Sequence, residues 1–156
     1  MDIADAGKRA DALAFLKKHR TGALATVSQE GSPRVRLVYY ASGDAFEIYF
    51  MTKKSTRKVD DITRDSRVAF TISSEDVPQA LQIEGVASLV EIPAEPDTVL
   101  NNLFQTLALN KHFVAPLTKL GDSELLIMKI QPTWIRWGDF AFAEEGLKGV
   151  FVEVDV

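Results

Sequence analysis

Cysteine is absent from the chain, which excludes a disulfide framework, a thiolate nucleophile and a cysteine-ligated metal. Histidine is scarce: His19 and His112 stand in separate segments, and no grouping of His, Asp and Glu has metal-ligand spacing. There is no Gly-x-Ser-x-Gly nucleophile turn, no Gly-rich dinucleotide loop and no Walker-type phosphate loop. Long apolar runs are missing as well. None approaches a membrane span, and the opening MDIADAGKRAD lacks the apolar stretch of a signal peptide, so no membrane role and a cytoplasmic address are expected. Positive charge is the minority sign, with 18 Lys and Arg against 22 Asp and Glu for a net −4. A pI near 5.2 disfavours general nucleic-acid affinity, because such domains are usually basic. Glu144 and Glu145 are adjacent but fall in an expected loop and read as solvated acids. Side-chain catalysis is thinly supplied, and chemistry would have to come from a cofactor.

What remains is an ordinary globular composition, 46% apolar and 26% charged over 156 residues, enough for one domain with its own core. No repeat and no linker divides it, so residues 1–156 read as a single domain. Residues 3–19 have helical spacing, with Ile3, Ala6, Ala10, Leu13, Ala14 and Leu16 on one face, a basic last turn with His19 as a charge partner for the helix end, and Gly22 as the stop. Strands follow at Gly22–Ser28, Pro33–Ala41 and Ala45–Thr52, the last two joined by a tight turn at Ser42-Gly43-Asp44. Further strands are expected at Ser66–Ser73 and Ala80–Ile92, where Gly85 marks a bulge or bend. A second amphipathic helix spans Asp97–Leu109, and Asn110–Glu124 is irregular. Leu125–Trp137 is the last strong strand, with Pro132 implying a kink or an edge, and Val150, Val152 and Val154 alternate as in one more. Six or seven antiparallel strands with two or three helices predict a mainly β fold, a small barrel with helices at its edges.

One stretch departs from the acidic background. After the alternating strand ending at Thr52 come Lys53-Lys54-Ser55-Thr56-Arg57-Lys58, four of them cationic. Helical spacing then resumes, with Val59 and Ile62 inward and Asp60, Asp61 and Asp65 expected to face water. Ser55 or Thr56 is the natural N-cap. Cations at a helix N-terminus oppose the dipole, so their clustering costs stability unless an anion binds there. On the second strand, Arg34, Arg36, Val38 and Tyr40 share one face, and Val35, Leu37, Tyr39 and Ala41 the other. Arg36 and the basic segment could converge on one phosphate; salt bridges from the arginines to Glu30 or Glu47 are the competing use. Trp134 and Trp137, three apart, lie on opposite faces, one for the core and one for an interface or a flat ligand.

Several segments taken together resemble the FMN-binding split-barrel family typified by pyridoxamine 5′-phosphate oxidase, especially its short general-stress-protein-like branch. They are Gly31-x-Pro33 leading into Arg36-Leu37-Val38, Phe50-Met51-Thr52 before Thr56-Arg57-Lys58, Arg67-Val68-Ala69-Phe70, and Ile83-Glu84-Gly85-Val86-Ala87. The resemblance runs from Thr21 to Val90, with an echo at Trp134–Trp137. It implies a split β-barrel homodimer with FMN between the two barrels. Arg36, Thr56, Arg57 and Lys58 would hold the phosphate, and the backbone around Leu37 and Val38, with Met51 and Thr52, would border the isoalloxazine. Lys53 and Ser55 would add contacts, and Trp137 would wall the site from the second subunit. A glutamine common at the position of Ala80 is missing, although Gln82 shares its strand face. Ala41 stands where the family has a lysine, and the C-terminal Arg-x-His segment that grips a pyridoxal-type substrate is lacking.

The resemblance therefore implies a flavin-dependent oxidoreductase or flavin reductase, drawing on a donor such as NAD(P)H, more than true vitamin B6 oxidation. A non-catalytic flavin carrier or stress-response module, and a haem- or deazaflavin-binding relative, are the competing readings on the same scaffold. A single-strand nucleic-acid barrel would want aromatics among the cations on a basic domain.

Overall fold

A computed structural model describes residues 3–91, 98–109, 125–142 and 150–156. Expectations for Asn110–Glu124, His112 and the Glu144-Glu145 pair lie outside the described residues. In chain order the elements are α1 (Ile3–Lys18), β1 (Thr21–Val27), β2 (Pro33–Tyr39), β3 (Ala41–Ser42), β4 (Ile48–Lys53), α2 (Arg57–Arg64), β5 (Arg67–Ser74) and β6 (Gln79–Val90). There follow α3 (Thr98–Leu109), β7 (Leu125–Asp139), a 3-10 turn at Phe140–Phe142, and β8 (Phe151–Glu153). Every strand pairing is antiparallel, and one sheet of eight strands runs β2-β1-β5-β6-β7-β4-β3, with β8 added to β7.

The alternation read from the sequence is what curls this sheet. Leu24, Phe50, Phe70, Leu81, Ile83 and Ile130 point inward at period two and are all but fully buried. Each such side chain contributes about 1.5–3 kcal/mol on leaving water. The helix α1 plugs one end, but through Ala12, Phe15 and Leu16. Of the face expected through Ala6, Ala10, Leu13, Ala14 and Leu16, Leu16 is buried and Leu13 packs against the core, whereas the three alanines are exposed, because the larger Phe15 takes the contact in their place. Two glycines permit close approach: a Cβ on Gly22 would meet the Phe70 ring at 2.2 Å, and one on Gly85 would meet the Gln131 carbonyl at 2.5 Å. At Gly85 the β6–β7 register shifts, so Pro132 is accommodated at a bulge inside the sheet rather than at an edge.

The expected hairpin between the second and third strands is not formed. The chain leaves β2 at Tyr39, and the next strand is only two residues long; it pairs as Ala41 with Tyr49 and Ser42 with Ile48. Phe46 takes φ +61, a left-handed backbone that delays the next strand to Ile48. From there β4 pairs with β7 and β2 pairs with β1, so the sheet stays open between β2 and β4. The barrel is split, and the basic segment sits at the end of that split.

The two outer faces differ. Over β3, β4 and β7 the helix α3 covers an apolar layer of Ala41, Tyr49, Met51 and Ile127 with Leu100 and Leu103. Over β2, β1, β5 and β6 nothing in the described residues covers the sheet, and Val35 and Leu37 are 71% and 74% exposed.

Candidate functional site

The start of α2 is an unfinished cap. Thr56 is the N-cap residue, extended at φ −96 and ψ 148, and its side chain makes no capping bond. Its hydroxyl lies instead 3.2 Å from that of Thr52, a residue 2% exposed at the end of β4. The Thr56 carbonyl accepts from the N–H groups of Val59 and Asp60. The N–H groups of Arg57 and Lys58 have no acceptor among the described residues, which leaves two orphan donors at the positive end of the helix dipole.

Arg57 and Lys58 carry their own charges there, and Arg36 of β2 is near enough to interact with both. Arg36 is held by its Nη1, which donates 2.6 Å to Thr26 Oγ1 and, more weakly, 3.5 Å to the Leu24 carbonyl. Burial, and after it the neighbouring charges of Arg34 and Arg57, pull the Arg36 pKa below its ordinary value against the help of Asp61. Burial likewise depresses the Lys58 pKa, and the charge of Arg36 depresses it further. Burial thus disfavours the charge on both side chains, and Arg36 lies close enough to Lys58 to add to the effect there.

The acid inside this cluster was expected in solvent and is not. Asp61 is 3% exposed, because α2 lies against β1 and presents the face of Lys58, Asp61 and Ile62 inward. Its carboxylate accepts from Thr26 Oγ1 at 2.7 Å and Arg34 Nη1 at 3.0 Å, with Arg36 Nη2 at 3.6 Å and Arg64 Nη2 at 3.8 Å. Burial opposes the charge, but the Thr26 hydroxyl and the arginines outweigh it and hold the Asp61 pKa low. Of the anticipated salt bridges, Glu30 reaches Arg34 only at 4.0 Å. Glu47 caps the 43–47 turn instead, accepting from the Ala45 N–H at 3.0 Å. On the outer flank a cleft of about 520 Å³ is lined by Arg34, Arg57 and Arg64 with Glu30, Asp60 and Asp61. That flank is balanced in charge; the excess lies at Arg36 and Lys58.

The open edge of β2 leads away from this point. The Tyr40 N–H donates to the Arg20 carbonyl at 2.9 Å, which fixes the parity of the strand: even residues turn their backbone polar groups toward β1. The N–H and C=O of Val35 and Leu37 therefore face the split. Val38 is buried in the core, and Met51 packs beneath α3. Lys53 is half-buried at the end of β4, and Ser55 is exposed in the loop.

The remaining expected residues separate. Gln82 is exposed on the outer face of β6 and borders a shallow cleft of about 310 Å³ with Ala23, Ala25, Val35 and Trp134. Trp137 is a correction: it is 3% exposed inside the barrel, its ring 5.0 Å from that of Phe15, and has little surface to offer a second subunit. The tryptophan on the outer face is Trp134. Sequence reasoning also passed over Thr26 and misplaced Asp61, although Asp61 stands three residues after Lys58 and shares its helical face.

The sequence model of the pyridoxamine 5′-phosphate oxidase family matches residues 9–136. No curated protein matches the chain. Among solved structures, general stress protein 26 of Bacillus anthracis is 23% identical, with a TM-score of 0.63 over 92% of this chain and 97% of its own. An F420 reductase is 25% identical, with a TM-score of 0.60 over 78% of this chain and 93% of that one. A haem-binding protein of Mycobacterium smegmatis is 20% identical, with a TM-score of 0.59; 96% of this chain is covered but only 57% of that one. One scaffold thus carries differently named ligands. The matched residues run from α1 into β7 and take in the split, the uncapped helix start and every cation around it, and the chain belongs to the pyridoxamine 5′-phosphate oxidase family.

Proposed function

We propose that this protein is an FMN-binding flavoprotein, a homodimeric flavin-dependent oxidoreductase that works in the cytoplasm. The observation that carries the reading is the pair of N–H groups at Arg57 and Lys58 that have no acceptor among the described residues, at a helix start where burial already disfavours the charges of Arg36 and Lys58. These donors suit a terminal phosphate, which gains both charge-assisted hydrogen bonds and the helix dipole. Lys53 and Ser55 stand at the mouth as further contacts. The backbone of Leu37, turned to the open split, supplies a donor and an acceptor to the edge of a flat heterocycle, and Met51 and Thr52 border it from β4. When bound, the flavin supplies the redox chemistry, taking electrons from a donor such as NAD(P)H. The chain's own part is to anchor the phosphate, orient the ring and keep water from one side of it.

The uncovered outer face is where a second copy fits. Val35, Leu37, Ala23, Ala25 and Trp134 form an apolar surface beside the split, and a two-fold axis would set it against itself. Gln82 and Trp134 of that face are then the groups a partner would bring toward the ring.

The test is flavin binding by fluorescence quenching. Arg57→Ala with Lys58→Ala removes two charge-assisted contacts of about 1.5–3 kcal/mol each, so FMN affinity should fall about 100-fold or more while riboflavin, which has no phosphate, is little affected. Equal loss for both flavins, or none for FMN, refutes the phosphate assignment. A Soret band in place of flavin absorption in the purified protein would move the reading to haem.

A further inference from the structure

Asp61 is an unexpected residue to find in an anion site. By charge alone, a carboxylate among Arg34, Arg36 and Lys58 should repel a phosphate and weaken its binding. Its geometry indicates another role. Thr26 Oγ1 donates to Asp61 Oδ2 at 2.7 Å and accepts from Arg36 Nη1 at 2.6 Å, so one hydroxyl links the acid to the arginine. The other oxygen, Oδ1, accepts from Arg34 at 3.0 Å and lies 3.8 Å from Arg64. Without the acid, these arginines and Lys58 would crowd one end of the barrel uncompensated. Long side chains under that repulsion turn toward solvent and lose the fixed orientation that a phosphate must otherwise impose on binding.

We propose that Asp61, acting through Thr26, is a positioning residue: it strengthens phosphate binding by holding Arg36 and Arg34 in place before the ligand arrives. Asp61 does not touch the phosphate; it neutralises the inner side of the cluster and fixes Arg36 both through the Thr26 hydroxyl and by its own 3.6 Å contact with Arg36 Nη2. The proposal rests on the phosphate site described above and concerns which groups shape it.

Asp61→Asn and Thr26→Val are to be compared with wild type for FMN and riboflavin affinity, with thermal unfolding as a check on folding. Loss of an orienting outer partner costs metal sites roughly 10- to 100-fold, and a loss of about 10-fold in FMN affinity with riboflavin unchanged is expected for both variants. Thr26→Ser, which keeps the hydroxyl, should restore the wild-type value. Tighter or unchanged FMN binding in Asp61→Asn overturns the proposal. Should Asp61→Asn not fold, Thr26→Val decides alone, since it keeps the carboxylate and its 3.6 Å contact with Arg36 and removes the hydroxyl that bonds both.

Inorganic phosphate separates this idea from the flavin reading, followed through the Arg57 and Lys58 amide signals by NMR. If wild type takes no FMN but phosphate shifts those amides, and does so more weakly in Asp61→Asn, the flavin reading falls and the positioning role stands. If phosphate binds both proteins alike, or neither, the positioning role falls.

Discussion

Replacing Val35 and Leu37 by threonine should dissolve the proposed dimer without unfolding the barrel. Both residues lie on edge strand β2, 71% and 74% exposed in the single chain, so they contribute little to the core. Threonine is β-branched, like the valine it replaces at 35, and is a residue that strands favour at both positions. A Val or Leu side chain gains about 1.5–3 kcal/mol on full burial, and more than two-thirds of that gain is still outstanding here. Exchange for threonine, which keeps part of the carbon surface, forfeits about 1–1.5 kcal/mol per side chain on that scale. Two-fold symmetry counts each change twice, giving about 5 kcal/mol per dimer and a dissociation constant raised about 10³- to 10⁴-fold. Sedimentation velocity over a dilution series reads this directly, with thermal unfolding of the dilute monomer expected to stay within a degree or two (about 0.5 kcal/mol,). FMN affinity should fall with the dimer if the partner's Gln82 and Trp134 reach the ring. A double variant that dimerises like wild type, or a wild type that is monomeric at the highest workable concentration, refutes the assignment of this face.

Two further outcomes test the fold. Gly85→Ala places a methyl group 2.5 Å from the Gln131 carbonyl and 2.9 Å from the Ile130 side chain; backbone cannot retreat as a flexible side chain can, and a loss of about 2–4 kcal/mol should appear as a lower urea midpoint, whereas wild-type stability would mean the bulge is misplaced. Asp65, just beyond α2, has its pKa held down to about 2 by the Arg67 guanidinium and backbone N–H, below the ordinary 3.8. Its contribution is therefore present above the ordinary value and is lost as pH falls through about 2, so the stability gap between wild type and Asp65→Asn should narrow over that acid range, and a gap that persists to its lower end contradicts the pairing.

The elements themselves were largely legible in the chain. Period-two alternation, the Gly and Pro punctuation and the helical spacing of 98–109 depend on near neighbours, so they survive in a linear reading. The cation cluster at 53–58 was also legible, because charge against the helix dipole is a local conflict. Three things were not. The absence of a β2–β4 ladder depends on where β4 finds its partner, and β7, some eighty residues away, supplies it. The position of Asp61 depends on which face of α2 meets β1; polarity alone sent it to solvent, while Arg34, Arg36 and Thr26, distant in sequence, provide the partners that make its burial tolerable. Trp134 and Trp137 were placed on opposite faces by parity alone, but which one is interior was fixed only when Phe15 of α1 closed the barrel end over Trp137. Sequence determined the strands, the helices and the site's charge; the tertiary fold decided where the sheet opens, which acid is buried and which aromatic faces outward, because each of those is a contest between partners that only folding brings together.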